Sequence, residues 1–173
     1  MHLIVGTNRP NSSTHKLARY YQHMLESRGV SSEILALTDL PHDFAFSALY
    51  QNSGKNPAFQ VYQEKIDAGD KFVFFVPEYN HSFPGALKTF LDGLRYPDTF
   101  HGKKAALVGL SAGVLGNAVG LSHLSDILSY MGADVLGLRL KFGQFYQHFD
   151  GEKITFPVYQ QFLEKQIDQL IAF

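Results

Sequence analysis

A polar stretch at residues 6–14 carries the side chains in this sequence that are best suited to binding an anion. It lies between an apolar run at 1–5 and a segment of helical spacing, and its donors are Thr7, Arg9, Ser12, Ser13 and Thr14. Hydroxyl and guanidinium donors at the start of a helix, where backbone N–H groups are unpaired and the dipole is positive, favour a phosphate group. An ordinary capped helix, with Ser13 or Thr14 as N-cap, has the same composition, so this stretch alone leaves both interpretations open.

A second polar stretch and a glycine-containing stretch also follow apolar runs. Residues 77–82 come after the run 72–76, and residues 111–117 come after the run 104–110. A sequence such as Pro-Glu-Tyr-Asn is also a fair ordinary turn. Gly113 and Gly116 in the last stretch would let backbone approach a ligand closely, although a plain strand-to-helix turn is an equal alternative.

The elements that must position these stretches alternate between strand and helix five times. Strands are predicted at 1–5, 32–37, 72–76, 104–110 and 135–140. Of the five predicted helices, the first runs from Thr14 to Arg28, the second from Pro57 to Gly69, the third starts at Pro84, the fourth ends at Met131 and the fifth starts at about Thr155. The run 72–76 is apolar throughout, as expected for a central parallel strand covered on both faces. Right-handed crossovers then give an α/β fold with a five-stranded parallel sheet. Strand order 2-1-3-4-5 puts a crevice between strands 1 and 3, where the first two polar stretches meet.

Two regions give weaker predictions. The last helix is predicted to bury Val158, Phe162, Ile167 and Leu170. Residues 38–57 lose all periodicity, and a stretch of that length in a compact domain usually carries function or covers something, although a mobile flap is an equal alternative.

Composition narrows the classes of protein to consider. The 173 residues are expected to form one domain, 1–173, and 45% of them are apolar. The net charge of −1 gives no argument for nucleic acid or an anionic membrane as partner. There is no cysteine, no apolar run near the ~20 residues of a membrane span, and no signal peptide ahead of the first strand. We therefore expect a cytoplasmic protein.

The polar stretches resemble those of the NADPH-dependent FMN reductases, a flavodoxin-like group that includes azoreductases and chromate or quinone reductases. Residues 6–12, Gly-Thr-Asn-Arg-Pro-Asn-Ser, are similar to the family's G-S-x-R-x-x-S phosphate loop. Residues 77–80, Pro-Glu-Tyr-Asn, reproduce its P-E-Y-N loop, and Ser82, Pro84-Gly85 and Leu87-Lys88 follow in the family pattern. The stretch 100–104, the Ser-Ala-Gly at 111–113 and the Met-Gly-Ala at 131–133 also match.

The resemblance implies a flavodoxin-like three-layer sandwich that binds FMN and uses NADPH or NADH as co-substrate. Electrons would pass through FMN to a small acceptor such as a quinone, an azo compound, a metal oxyanion or free flavin, in a homodimer or tetramer. The flavin would carry the chemistry, so no catalytic side chain and no metal are implied. The implied cofactor-binding residues are Thr7, Arg9, Ser12, Ser13, Thr14, Pro77, Glu78, Tyr79, Asn80, Ser82, Ser111 and Gly113. Backbone N–H groups of 77–82 would bond the pyrimidine edge of the ring, with Tyr79 and Asn80 framing it.

This chain departs from the family pattern at three positions. The family usually has Asn where Thr14 stands, and Asn at the position of Thr89 and Trp at the position of Gly93 are also common in it. Thr14 keeps a hydroxyl donor but lacks the amide, and the change at Gly93 implies different packing of the helix after the second stretch.

Parts of the sequence are also compatible with two other functions. Residues 109–113 match G-x-S-x-G, and a serine hydrolase could use Ser111 with His148 and either Asp126 or Asp134. A flavodoxin-type electron carrier, or a flavin-binding protein without turnover, would share the fold. However, flavodoxins have a T-x-T-G-x-T loop and a strongly acidic surface, which this sequence lacks. Histidines near acidic residues, as at 42–43 and 148–150, are better explained as solvated loop residues than as metal ligands.

Overall fold

The computed structural model describes residues 1–173, in which a parallel sheet lies between two layers of helices. Its strands are β1 (His2–Val5), β2 (Glu33–Ala36), β3 (Lys71–Pro77), β4 (Lys104–Leu110), β5 (Asp134–Val135) and β6 (Leu140–Phe142). Its α-helices are α1 (Ser13–Glu26), α2 (Phe44–Ser47), α3 (Pro57–Ala68), α4 (Gly85–Gly93), α5 (Ala118–Tyr130), α6 (Phe145–His148) and α7 (Pro157–Ala172).

The strand order is β2-β1-β3-β4-β5, with every pairing parallel. This confirms the order 2-1-3-4-5 predicted from the sequence. The register aligns Val5 of β1 with Phe75 of β3, and Pro77 at the end of β3 with Leu110 at the end of β4. The loops that follow β1, β3 and β4 therefore leave the same edge of the sheet side by side.

The sheet has an apolar cluster on each face, because side chains of successive strand residues point to opposite sides. In β3, Phe72, Phe74 and Val76 belong to the cluster under α3, α4 and α5, whereas Val73 and Phe75 belong to the cluster under α1 and α7. All five are fully buried. The continuous apolar run of β3 is thus explained by cover on both faces.

The fifth strand differs from its prediction, because it is divided into β5 and β6 rather than running through 135–140. Both parts pair with β4, and the chain leaves the sheet between them. The buried side chain of Gln166 in α7 supplies the missing donors there. Its Nε2 donates to Leu107 O at 3.0 Å and to Leu138 O at 2.8 Å. A side-chain amide therefore replaces ladder hydrogen bonds, which keeps buried carbonyl groups paired.

Replacing Gln166 with leucine should lower the free energy of unfolding by about 1–2 kcal/mol, because two carbonyl groups would lose a buried partner. The hydroxyl of Tyr21, which lies 3.4 Å from Gln166 Oε1, would lose its acceptor as well. Urea unfolding followed by circular dichroism would measure the change. A stability equal to that of the parent would show that water or rearranged backbone satisfies these groups.

The prediction for α7 is wrong at two positions. Val158 and Phe162 are 43% and 45% exposed, whereas Ile167 and Leu170 are fully buried as predicted. The buried face of α7 is formed instead by Leu163, Gln166, Ile167 and Leu170. Burial of this face places Gln166 at the gap between β5 and β6. Because Gln166 is polar, the spacing of apolar residues in the sequence does not reveal this face.

Residues 38–56 cover the apolar cluster beside α4. Leu40, Phe44 and Ala48 are buried in that cluster, and the hydroxyl of Ser53 donates to carbonyl groups at the end of α4, the shortest bond being 2.9 Å to Leu94 O. Of the alternatives that the sequence left open for this stretch, the structure therefore favours a segment that covers the core over a mobile flap.

The departure at Gly93 has a packing explanation. A Cβ atom added to Gly93 would lie 3.0 Å from Cζ of Phe59, so the phenylalanine ring of α3 occupies the space that a side chain at 93 would need. At the second departure on α4, the hydroxyl of Thr89 donates to Gly85 O at 3.0 Å.

None of the helices combines the length and the hydropathy required to cross a membrane.

Candidate functional site

A cavity of about 460 Å³ opens at the carboxyl ends of β1, β3 and β4. It is lined by 14 residues: Thr7, Arg9, Asn11, Ser12, Ser13, Thr14, Pro77, Glu78, Tyr79, Leu110, Ser111, Ala112, Phe145 and Tyr146. Most of the residues predicted from the sequence to bind the cofactor therefore line one cavity. Asn80, Ser82 and Gly113 lie outside this lining. The cavity is formed by a first loop (residues 6–14), a second loop (77–82) and a third loop (111–117).

The first loop presents a group of unpaired backbone donors. Ser12, rather than Ser13 or Thr14, is the N-cap of α1, and its Oγ accepts a hydrogen bond from His15 N at 3.2 Å. No protein acceptor is found for the N–H groups of Asn8, Asn11, Ser12, Ser13 and Thr14. Because the last four of these donors flank the N-cap at the positive end of the α1 dipole, the first loop suits a bound anion.

Arg9 is the one Lys or Arg side chain in the cavity lining, and it is exposed and makes no salt bridge. It is thus available to a ligand. His15 follows in the first turn of α1, but burial lowers its pKa, and the charge of Arg19 acts in the same direction. His15 is therefore neutral at pH 7, and the fixed positive charge of the cavity comes from Arg9 and the helix end.

The second loop is a tight turn whose free donors are at its tip. Tyr79 and Ser82 exchange backbone hydrogen bonds of 2.9 and 3.1 Å, and Asn80 and His81 between them have φ values of 49° and 65°. Positive φ at both central residues defines a type I′ turn. The N–H of Glu78 donates to Leu110 O. Only the N–H groups of Asn80 and His81 therefore remain free for a ligand. The sequence analysis expected N–H donors from the whole of 77–82, so the structure reduces the available donors to these two.

Tyr79 joins the first two loops. Its hydroxyl and that of Thr7, which is fully buried, share a hydrogen bond of 3.0 Å. The backbone N–H of Arg9 also donates to Thr7 Oγ1 at 3.2 Å. The aromatic side chain of Tyr79 thus spans from the second loop to the first, rather than only framing one edge of a ligand.

The third loop is held to β6 by close backbone packing. A Cβ atom on Gly116 would lie 2.6 Å from Phe142 N, whereas one on Gly113 would meet nothing within 4 Å. The backbone at Gly113 is therefore open to close approach, whereas Gly116 packs against β6, which favours the plain-turn alternative for Gly116. The Oγ of Ser111 donates to Gly113 O and accepts from Gly116 N, so it is already used within the loop.

Five lining residues were not singled out from the sequence: Asn11, Leu110, Ala112, Phe145 and Tyr146. Phe145 and Tyr146 begin the short helix α6, where the chain turns back over the cavity after β6. The sequence shows only that the stretch after the fifth strand is polar and aromatic. However, only the division of the fifth strand brings them to the cavity, and the sequence did not reveal that division.

The hydrolase alternative lacks a triad. Ser111 makes no hydrogen bond to a histidine, and α5 begins only at Ala118. The ring of His148 stacks on Phe156 at a centroid distance of 4.7 Å, and Asp134 forms an ion pair with Lys104. No group of three or more His, Asp and Glu side chains is arranged to hold a metal ion.

The donor set fits FMN. A phosphate dianion matches the four free N–H groups in the cavity lining, the hydroxyls of the first loop and the guanidinium of Arg9. The free N–H groups of Asn80 and His81 and the open backbone at Gly113 lie outside the lining, in the loops that follow β3 and β4, so a planar ring would reach them by extending beyond the cavity wall. The cavity volume is within the range of small-molecule sites.

Comparison with known proteins agrees with this geometry. A 2-hydroxy-1,4-benzoquinone reductase of a Burkholderia species is 30% identical over 132 residues, which are 75% of this chain and 69% of that protein. An NAD(P)H-dependent FMN reductase of Pseudomonas aeruginosa is 35% identical over 109 residues, which are 60% of this chain and 55% of that protein, so the match spans little more than half of its length.

Among solved structures, the flavoenzyme NAD(P)H:(acceptor) oxidoreductase FerB of Paracoccus denitrificans superposes with a TM-score of 0.77 at 26% identity, covering 99% of this chain and 94% of that chain. The profile of the family described as NADPH-dependent FMN reductase matches residues 1–147. That match includes all three loops of the cavity. The chain therefore belongs to the NADPH-dependent FMN reductase family.

Proposed function

We propose that this protein is an NAD(P)H-dependent FMN oxidoreductase that reduces a small acceptor such as a quinone, an azo compound, a metal oxyanion or free flavin. The observation that carries the proposal is the group of four unpaired N–H donors at the start of α1, those of Asn11, Ser12, Ser13 and Thr14, which line a single cavity with Arg9. When bound, FMN supplies the redox chemistry by accepting a hydride from the nicotinamide and passing electrons on.

The residues of this chain would hold and orient the cofactor. The first loop would bind the phosphate through the N–H groups of Asn11, Ser12, Ser13 and Thr14, with Arg9 as counter-ion. The free N–H groups at the tip of the second loop would bind the ring edge, while the third loop would offer the backbone beside Gly113. Tyr79 would hold the first and second loops at a fixed separation through its bond to Thr7.

An anaerobic absorbance experiment tests the function. Purified protein loaded with FMN should lose its yellow absorbance when NADPH or NADH is added, and a benzoquinone added next should restore it. Repeated cycles in steady state would distinguish an enzyme from a flavodoxin-type carrier, which would not be reduced directly by NAD(P)H. Absence of bleaching with both nucleotides would contradict the proposal.

We also propose that residues 1–173 act as one domain in the cytoplasm and assemble as a homodimer. A groove of about 480 Å³ between α4 and α5 supports self-association, since it combines exposed Tyr96 and Tyr130 with apolar side chains. Its rim carries both charge signs, which suits pairing of two identical surfaces: Lys88, Asp92, Arg95 and Asp126. Sedimentation equilibrium would give the mass directly, and a monomer at micromolar concentration would contradict a stable dimer.

A further inference from the structure

Asn117, the last residue of the third loop, binds the second loop through both its side chain and its backbone. We propose that Asn117 is a positioning residue that sets the geometry in which the second loop meets the flavin ring. This inference rests on the proposed function, because it concerns the same cavity. Asn117 itself does not line that cavity.

Three hydrogen bonds connect Asn117 to three consecutive residues. Its Nδ2 donates to Val76 O and to Pro77 O, each at 3.1 Å, and its backbone N–H donates to Glu78 Oε2 at 3.2 Å. Val76 and Pro77 end β3, and Glu78 lies in the cavity wall. One residue therefore fixes both the last carbonyl groups of β3 and the carboxylate that leads into the turn.

The position is built for asparagine. Asn117 is fully buried, and its φ of 62° and ψ of 36° place it in the left-handed region, which asparagine tolerates better than most residues. It precedes α5 but makes no side-chain cap, so its amide is committed to the second loop. Gly120 leaves room for it, because a Cβ atom there would clash with Asn117 Oδ1 and lie 2.7 Å from Ser82 C.

The consequence for the ligand follows from what remains free in the second loop. The type I′ turn begins at Tyr79, directly after Glu78, and only Asn80 and His81 at its tip have unpaired N–H groups. Two backbone hydrogen bonds close the turn, so the orientation of the turn relative to the sheet depends on how Val76, Pro77 and Glu78 are held. Without the Asn117 amide, these donors would keep their chemistry but lose their fixed orientation toward the ring.

The test compares two buried amides that make the same kind of bond. Asn117→Gly removes both side-chain donors while keeping a residue that adopts positive φ freely and still presents an N–H to Glu78. Asn117→Asp keeps the shape but loses the amide donors. Gln166→Leu is the matched control, since Gln166 Nε2 also donates to two carbonyl groups but lies on α7, outside the cavity lining.

The expected result separates positioning from stability. Both Asn117 variants should weaken FMN binding by about tenfold and lower the midpoint potential of bound FMN, because ring-edge donors that stabilise the charge gained on reduction become misaligned. Stabilisation of the free protein by inorganic phosphate should not change, since the first loop is intact. Gln166→Leu should lower thermal stability but leave the FMN dissociation constant within twofold and the potential unchanged.

Two outcomes would overturn the inference. One is an Asn117 variant that binds FMN within twofold of the parent at the same potential. The other is a Gln166→Leu variant that weakens FMN binding as much as the Asn117 variants do. If Asn117→Gly does not fold, the same measurements are made on Asn117→Asp, and if Asn117→Asp does not fold, they are made on Asn117→Gly. A parent protein that binds no FMN would overturn the proposed function itself, which distinguishes the two failures.

Discussion

Replacing Gly116 with alanine should lower the free energy of unfolding by ~2–5 kcal/mol. The added methyl group would collide with the backbone of β6, 2.6 Å from Phe142 N, and forcing extra volume into packed structure costs ~1–3 kcal/mol. The φ of +57° adds ~1–2 kcal/mol for a residue with a Cβ atom. Urea unfolding of parent and variant would measure the sum.

Gly113→Ala is the matched control for this effect, because Gly113 belongs to the same loop. Its φ is not positive, and a Cβ atom there would meet nothing within 4 Å. We expect a stability within about 0.5 kcal/mol of the parent. Equal losses for the two alanine variants would show that the third loop is not held to β6 as described.

Replacing Arg9 with alanine should weaken FMN binding by ~1–3 kcal/mol, the scale of a lost charge-assisted hydrogen bond. Arg9 is exposed and has no salt-bridge partner, so its removal should leave the fold intact. The loss should be confined to ligands that carry the phosphate, and riboflavin should bind parent and variant equally. Isothermal titration with FMN and with riboflavin measures both quantities.

Arg19→Ala controls for the general loss of positive charge near the first loop. Arg19 is an exposed residue of α1 that does not line the cavity. Its removal should therefore change FMN affinity much less than removal of Arg9. If FMN bound equally well to the parent and to Arg9→Ala, Arg9 would not be a phosphate ligand.

The sequence was most informative where the chemistry is local. An apolar run followed by Thr7, Arg9 and Ser12 and then by helical spacing predicts a strand, a polar loop and a helix, and the fold has them in that order with the loop lining the cavity. The strand order could be predicted as well, because few topologies satisfy five strand–helix alternations with right-handed crossovers.

Features that depend on distant residues could not be predicted. The break between β5 and β6 exists because Gln166, about thirty residues later in the chain, supplies the donors that the sheet lacks there. Gln166 also lies on the buried face of α7, and because a polar residue there carries no apolar signal, the spacing of apolar residues wrongly predicts that Phe162 is buried. Gly116 gave a similar ambiguity, since a glycine that allows a ligand to approach and one that allows a strand to approach look identical in sequence.

The most direct test is a crystal structure of the protein soaked in excess FMN. We expect the phosphate within hydrogen-bonding distance of the N–H groups of Ser12, Ser13 and Thr14, and the ring against the turn formed by residues 79–82. A phosphate bound anywhere other than the start of α1, or a cavity that stays empty at saturating FMN, would contradict this account.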